Sequence, residues 1–268
     1  MIIFLFTQVN KIYEFAEYLY KNGDYLSAAK EFERYLILSD LPNRDLIYYK
    51  IGKCYRLSNK FERAIYYFDK IIKEYTQSPY KSGAYYEIAL IYSLSEKYSE
   101  SNQFISSILQ YITEDSIKLK MNHLFALNYA FERRWKEASN FIENLNSNDS
   151  ITFLLRNLIR EGKNFHRKNK FLAGLLSAIV PGSGKIYANR FGDGITSLVS
   201  ISVFSYQAYD AFRKEGMNST KGWIFGILAG IFYLGNIYGS IVSAEIYNTT
   251  KEEQILHSIQ IYVNANIF

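Results

Sequence analysis

Small and large apolar residues recur along the first half of the chain at a fixed interval. Small residues stand at Ala28, Ala64, Ser101 and Ala138, spaced by 36, 37 and 37 positions. Each follows an aromatic residue by three positions and precedes a large apolar residue by four. A repeat of this length is typical of stacked helix pairs, because small residues let two antiparallel helices pack closely. The pattern therefore predicts about four helix pairs over residues 10–148.

Three apolar segments follow in the second half. The segment at 171–180 is too short to cross a bilayer and ends at Pro181 and Gly182, which favours a re-entrant segment over 171–187. The segments at about 194–212 and 223–244 have 19 and 22 residues, the length that a hydrocarbon core requires. A short polar loop joins them. The pattern predicts a transmembrane hairpin in a membrane domain at 171–248, with a soluble buried helix pair as the alternative.

The remaining segments have less regular patterns. Residues 1–9 are an apolar lead, either the remnant of a signal peptide or the start of the first helix. Residues 149–170 predict a capping helix and a basic linker. The tail, 249–268, ends in IQIYVNANIF, whose alternation predicts either a strand or a disordered end.

Composition divides the chain in the same way. Twelve of the 15 glycines follow residue 160, and residues 171–250 hold only nine charged side chains. This contrast predicts water around the first part and lipid around the second. A basic run before the first apolar segment indicates anionic lipid headgroups or a topology signal. It lacks interleaved aromatic residues, so we expect no nucleic-acid partner.

No arrangement of residues predicts catalysis. Cys54 is the only cysteine, and the three histidines are scattered. The segment PGSGK resembles a phosphate-binding loop only superficially, because Ile186 replaces the required Ser or Thr. We therefore expect no enzymatic activity, no cofactor and no metal site.

Two segments resemble known families. GDYLSAAKEFERYL, at 23–36, resembles the second helix of the tetratricopeptide repeat, although later copies lack the usual turn glycine. The second segment resembles small bacterial two-span membrane hairpins with a Pro-Gly-x-Gly-x-x-Tyr-x-x-Arg motif, which is supplied here by Pro181, Gly182, Gly184, Tyr187 and Arg190. Together they imply an all-α fold: a tetratricopeptide-type helical solenoid followed by a transmembrane helical hairpin.

The repeat register predicts a concave surface formed by the first helix of each pair. Aromatic and charged residues on such a face suit the binding of a protein or peptide, because aromatic side chains give contact area at low entropic cost. Packing inside the repeats is the alternative. The predicted surface also includes Leu90 and Leu127, and its partner-binding residues are Tyr13, Glu17, Tyr49, Lys53, Arg56, Tyr86 and His123.

The predicted spans carry polar and glycine positions of their own. Asn236 is predicted to hydrogen-bond to Asp210 or Gln207 of the other span. The pairs Gly226/Gly230 and Gly235/Gly239 are small-xxx-small steps that permit close helix packing and homo-oligomers.

Two functions are compatible with this organisation. The first is a membrane-anchored scaffold of the bacterial cell envelope, whose repeats bind a partner protein. The alternative is a small transport or channel component in which the glycine-rich hairpin oligomerises. The resemblance implies the bacterial inner membrane and a signal sequence, which favours periplasmic repeats, whereas the basic run predicts cytoplasmic repeats.

Overall fold

A computed structural model describes residues 2–39, 44–147 and 149–266. These residues form thirteen α-helices and two short 3-10 turns, and no β-strand occurs among them. The chain divides into two compact units, one up to Arg160 and one over Glu161–Asn266. The division falls inside the segment predicted to be a capping helix and linker.

The first unit is a series of helices that pack in chain order. Contacts join each helix to the next from α1 to α8, and the first helices of successive pairs also touch, as α3 does α5 and α5 does α7. This is a repeat-like arrangement, as the period predicts. The helices are α1 (Ile2–Lys21), α2 (Tyr25–Leu38), α3 (Arg44–Leu57), α4 (Phe61–Glu74), α5 (Lys81–Leu94), α6 (Tyr98–Ile108), α7 (Asp115–Phe131), α8 (Trp135–Glu143) and α9 (Ser150–Asn164).

Each pair has the same turn between its two helices. A residue in the left-handed region stands at Gly23, Asn59, Glu96 and Arg133, with φ of 81°, 57°, 60° and 58°. In every case its N–H bonds to the carbonyl three positions earlier, and the next N–H bonds to the carbonyl five positions before itself. This pattern ends a helix by satisfying its last carbonyls. The turn is kept although only the first copy has glycine.

The small residues of the register are all buried, as packing between the two helices of a pair requires. Ala28, Ala64, Ser101 and Ala138 are fully inaccessible. Ser101 donates to the carbonyl of Ala89 at 2.8 Å, so its hydroxyl is satisfied inside the core. The large residues four positions later are also buried: Phe32, Phe68, Ile105 and Ile142.

We expect Glu96→Gly to stabilise the first unit by up to about 1 kcal/mol, because a left-handed conformation costs a residue with a Cβ about 1–2 kcal/mol and glycine loses part of this gain through backbone entropy. Chemical unfolding followed through Trp135, with Trp223 replaced by Phe, measures the change. Glu100→Gly, at an exposed helical position of α6, is the control and should destabilise by about 1 kcal/mol. Equal losses in the two variants would contradict the proposed strain at Glu96.

The second unit has four helices: α10 (Lys170–Ile179), α11 (Ser183–Tyr187), α12 (Phe191–Glu215) and α13 (Thr220–Asn266). The other three all pack against α13. Phe212 packs against Trp223 and Phe204 packs against Phe232, so α12 runs antiparallel to α13. The predicted strand at 259–268 is wrong for its described residues, because α13 continues as a helix to Asn266.

By length and composition, α13 could cross a membrane. Among the described residues it is the one helix that is long and apolar enough, since an 18-residue window within Thr220–Ile261 has a mean hydropathy of 1.6. The predicted span at 223–244 lies inside it. At 1.5 Å per residue the whole helix is about 70 Å long, well beyond the roughly 30 Å hydrocarbon core. The predicted span at 194–212 lies in α12, and its position in a membrane remains a prediction.

Candidate functional site

Polar side chains connect the first helices of successive repeats. On α1, Glu17 accepts a hydrogen bond from Lys50 of α3, and both side chains are about one-quarter exposed. The Lys50 ammonium also lies 5.5 Å from the ring centre of Tyr13. Burial opposes the charged form of Lys50, but the bonds to Glu17 and Tyr13 outweigh it and raise its pKa. These residues hold α1 against α3.

The next connection, between α3 and α5, is a buried ion pair. Arg56 Nε lies 2.5 Å from Glu87 Oε2, and the two side chains are only 6% and 5% exposed. Tyr86, beside Glu87 in the chain, is also buried, and burial raises the pKa of its phenol. Two residues of the predicted binding surface therefore lie in the interior of the first unit.

His123 belongs to a third buried arrangement. Its Nε2 lies 2.7 Å from Thr152 Oγ1, whose single hydroxyl proton is donated to Asp149. Thr152 must therefore accept from His123, so Nε2 of the ring carries a hydrogen. Burial lowers the pKa of His123 despite the nearby Asp149. Hydrogen bonds from Ser147 and Thr152 lower the pKa of Asp149, although burial opposes this.

This arrangement predicts that acid destabilises the first unit. Because the folded pKa of His123 lies below the ordinary 6.5, the unfolded chain binds the proton first, and stability falls as the pH drops below 6.5. His123→Gln, which keeps an N–H donor, should reduce the slope of the unfolding free energy against pH. Denaturant titrations followed through Trp135 measure this slope. His166→Gln, at an exposed position outside this unit, should leave it unchanged. An unaltered slope in His123→Gln would contradict the assignment.

The predicted partner-binding residues thus divide into two groups. Arg56, Tyr86 and His123 are buried, as are Leu90 and Leu127. The half-buried residues Tyr13, Glu17, Tyr49 and Lys53 retain some accessible surface. Tyr49 stacks on Tyr80 with ring centres 5.4 Å apart. Much of the predicted surface therefore connects one repeat to the next.

A groove that sequence reasoning missed lies between α1 and α2. It has a volume of about 560 Å³ and is lined by Val9, Lys11, Ile12, Phe15, Glu31, Arg34 and Leu38. Phe15 and Leu38 are 50% and 54% exposed. Glu31 and Arg34 form an ion pair at 3.6 Å on its rim. The sequence could have indicated this groove through Phe15. This large apolar residue stands next to the small residue Ala16 but is not itself one of the repeat positions.

In the second unit, the predicted motif forms a tight turn held by Asn236. Asn236 Oδ1 accepts from the N–H of Gly182 at 3.1 Å, and its Nδ2 donates to the carbonyl of Ser177 at 3.3 Å. Asn236 is 3% exposed. The turn therefore reaches the level of α13 that lies close to the middle of the predicted span. Asn236 thus satisfies one backbone donor and one backbone acceptor of the turn.

Other contacts show that α10 runs antiparallel to α13 before this turn. Lys170 pairs with Glu245 at 3.1 Å at the beginning of α10. Near its end, the Ser177 and Ser240 hydroxyl oxygens are 2.7 Å apart, and Tyr233 donates to the carbonyl of Ala178 at 2.6 Å. The chain thus runs beside α13 through α10, from the level of Glu245 toward that of Tyr233, and turns back through α11.

The predicted bond between Asn236 and Asp210 or Gln207 is wrong. Asn236 is occupied by the turn, and Asp210 pairs instead with Lys214, one helical turn later, at 2.8 Å. Gln207 has no hydrogen-bond partner among the described residues. The two helices meet through apolar side chains at this level, including Phe204 and Phe232.

The glycines of the motif are required by close backbone approaches. Gly182 has φ of 88°, and a Cβ there would lie 2.0 Å from the carbonyl oxygen of Gly194. A Cβ at Gly184 would lie 1.8 Å from the carbonyl oxygen of Ala173. No side chain fits at either position.

The glycines of α13 differ among themselves. A Cβ at Gly226 would lie 3.9 Å from Ala208, and one at Gly239 would lie 3.3 Å from Lys185 Cε, so both face neighbouring segments of the same unit. Gly230 and Gly235 have nothing within 4 Å. Each predicted small-xxx-small step therefore has one glycine that faces the same unit and one that is open, and the homo-oligomer remains a prediction.

Tyr187 and Arg190 lie in a polar layer near the end of the return segment. The Tyr187 hydroxyl accepts from the N–H of Asn169 at 3.0 Å, and the Lys168 ammonium lies 4.7 Å from its ring centre. Arg190 Nε pairs with Asp193 at 2.6 Å. Pro181, which opens the turn, is half-buried.

Among the residues that the structure describes, no group of His, Cys, Asp or Glu side chains could hold a metal ion. No protein-family model matches the chain, and comparisons with curated proteins and with solved structures give no significant match.

Proposed function

We propose that this protein is a membrane-anchored interaction scaffold of the bacterial cell envelope. The second unit anchors the chain in the inner membrane, with α12 and α13 as two spans and α10–α11 as a re-entrant segment. The first unit binds an amphipathic helix of a partner protein in the groove between α1 and α2. The repeats are proposed to be of the tetratricopeptide type and periplasmic.

Lipid is the solvent that best suits the second unit. Large apolar side chains project outward along α13, among them Ile227, Leu234 and Tyr238, and others do so along α12, among them Val199 and Val203. A continuous apolar surface of this extent is costly in water. Ion pairs lie toward the two ends, with Lys170–Glu245 and Arg167–Glu252 at one end and Asp210–Lys214 at the other.

The Asn236-capped turn supports the re-entrant arrangement. Backbone that is not helical is tolerated at membrane depth only where protein or water satisfies its polar groups. Here Asn236 satisfies the N–H of Gly182 and the carbonyl of Ser177, and Ser177 Oγ accepts from the N–H of Gly184 at 2.9 Å. The turn therefore needs no water at this depth.

The groove between α1 and α2 is the observation that carries the binding proposal. Its floor is apolar, with Ile12, Phe15 and Leu38, and charged residues of both signs form its rim. An apolar centre with a polar rim is the usual anatomy of a protein interface. A groove between two helices also suits a third amphipathic helix, whose apolar anchors recur every three or four residues.

This groove replaces part of the predicted concave surface. Arg56, Tyr86 and His123 serve the interior, so charge reversal at Arg56 would damage the fold before it tested binding. The transport alternative has less support, because Asn236 is committed to the turn and Asp210 is paired with Lys214.

Site-specific photocrosslinking in cells tests the proposal. A benzophenone amino acid is placed at Phe15 or Leu38 in the groove, at Lys53 on the predicted concave surface, and at the exposed Tyr66 as the control. We expect one discrete crosslinked protein from both groove positions and none from Tyr66, with mass spectrometry mapping the contact to an amphipathic helix. A product from Lys53 alone would move the site to the concave surface. No discrete product from any position would overturn the scaffold proposal.

A further inference from the structure

A second groove lies in the membrane unit, between α12 and α13. It has a volume of about 300 Å³ and is lined by Lys185, Thr196, Ser197, Ser200, Ile201, Ile231, Phe232, Gly235 and Asn236. Its lining changes along its length. Lys185, Thr196 and Ser197 are its polar part, Ile201, Ile231 and Phe232 are its apolar part, and Ser200 lies next to Ile201 where the two parts meet. The groove is therefore amphipathic along its own axis.

Lys185 supplies a positive charge that the protein does not neutralise. Its ammonium donates to Ser197 Oγ at 2.8 Å, and it has no carboxylate partner among the described residues. Asp193, the one acid in residues 181–194, is paired with Arg190. An ammonium has three N–H donors, so two are left for a ligand. An uncompensated charge beside an apolar helix pair is costly, and a bound anion would offset this cost.

The hydroxyl residues around Lys185 differ in what they can offer. Ser197 donates to the carbonyl of Asp193, and Thr196 donates to the carbonyl of Gly192. Ser200 has no hydrogen-bond partner among the described residues, so its O–H is also open to a ligand. An anion with several acceptor oxygens fits this set of donors.

The direction of the groove matches that of a lipid in one leaflet. Lys185 lies beside Gly239, on the side of the polar layer that contains Lys170 and Glu245. Ile231 lies eight residues earlier on α13, which is about 12 Å deeper along the helix. The charged end therefore faces the membrane surface, and the apolar end faces the membrane interior.

We propose that this groove binds an anionic phospholipid, with its phosphate at Lys185 and Ser200 and one acyl chain along Ile201, Ile231 and Phe232. The inference rests on the membrane location proposed above. It gives a binding role to Lys185, which lies within the motif segment but is not one of the residues that define the motif.

Lipid retention measured by native mass spectrometry tests the inference. The full chain is reconstituted in vesicles of equal parts phosphatidylcholine and phosphatidylglycerol, and the retained lipids are counted after extraction into detergent. We expect wild type to prefer phosphatidylglycerol, and Lys185→Met to lose roughly tenfold of this preference, as expected for one charge-assisted bond. Lys170→Met removes a charge that is already paired with Glu245 and should change little.

A second variant fills the groove without removing charge. Gly235→Leu adds a side chain where nothing lies within 4 Å, so the fold should tolerate it. The Gly235→Leu variant should lose the preference for phosphatidylglycerol, as Lys185→Met does. Unchanged preference for phosphatidylglycerol in both variants would overturn the inference. Loss of the retained phosphatidylglycerol when inorganic phosphate alone is added would also overturn it, because this would indicate a free-phosphate site.

Flotation with pure phosphatidylcholine vesicles separates this inference from the membrane proposal. All variants should float, because the anchor does not depend on the lipid site. Failure of wild type to float would overturn the membrane location, and the lipid inference with it. Flotation without selectivity would overturn the lipid inference alone.

Discussion

Gly184→Ala is expected to unfold the turn between α10 and α11 of the second unit. The added Cβ would lie 1.8 Å from the carbonyl oxygen of Ala173 and 2.8 Å from Ser177 Oγ. Backbone atoms cannot move aside as a flexible side chain can, so α11 would have to separate from α10. Overpacking costs about 1–3 kcal/mol where a core can adjust. We expect a loss above about 3 kcal/mol here, where it cannot.

Trp223 reports on this change if Trp135 is replaced by Phe. Trp223 belongs to the second unit, where its ring packs against Phe212. Thermal unfolding in detergent, followed by its fluorescence, should show a large loss of stability in Gly184→Ala. Gly192→Ala is the matched control, since nothing lies within 4 Å of its added Cβ. Similar stability in the two variants would contradict the close packing of α10 and α11.

Asn236→Leu is expected to destabilise the same unit by about 2–6 kcal/mol. Leucine has a similar volume but no polar atoms, so the N–H of Gly182 and the carbonyl of Ser177 would both lose their partner. Each buried group left unsatisfied costs about 1–3 kcal/mol. The same Trp223 measurement detects the loss.

Gln207→Leu distinguishes this assignment from a bond between the two long helices. Gln207 is half-buried on α12 and has no hydrogen-bond partner among the described residues. We expect its replacement to be neutral or slightly stabilising. If Gln207→Leu and Asn236→Leu cost the same, the two side chains act as a pair and the role given to Asn236 is wrong.

The helix pairs could be predicted from the sequence because their packing requires small and large apolar residues at regular intervals. Small residues repeat where two helices touch, and this fixed both the number and the order of the pairs. The turn at Glu96 follows from the register although its residue type does not predict a left-handed conformation. Tertiary context imposes the conformation there.

The sites were harder to predict because their partners are distant in sequence. His123 meets Thr152, 29 positions away, and Asn236 meets Gly182, 54 positions away. Polar residues such as Arg56 and His123 suggested a surface, and only the packing of neighbouring helices shows that they are buried. For Asn236 the partners are backbone groups, which carry no residue-type signal.

The tail was mispredicted for a different reason. A short run that alternates apolar and polar residues does not separate a strand from a helix. Residues 259–266 extend α13, and continuing a helix costs far less than starting a strand without a neighbour.

Cysteine accessibility on the two sides of the membrane tests the central claim most directly. Native Cys54 does not interfere, since burial raises the pKa of its thiol to about 12. Single cysteines are placed at Asn218 between α12 and α13, at His166 before α10, and at Leu234 within α13. An impermeant thiol reagent should label Asn218 from one side only, His166 from the other side only, and Leu234 from neither. Labelling of Asn218 and His166 from the same side, or rapid labelling of Leu234 in intact membranes, would contradict a two-span anchor.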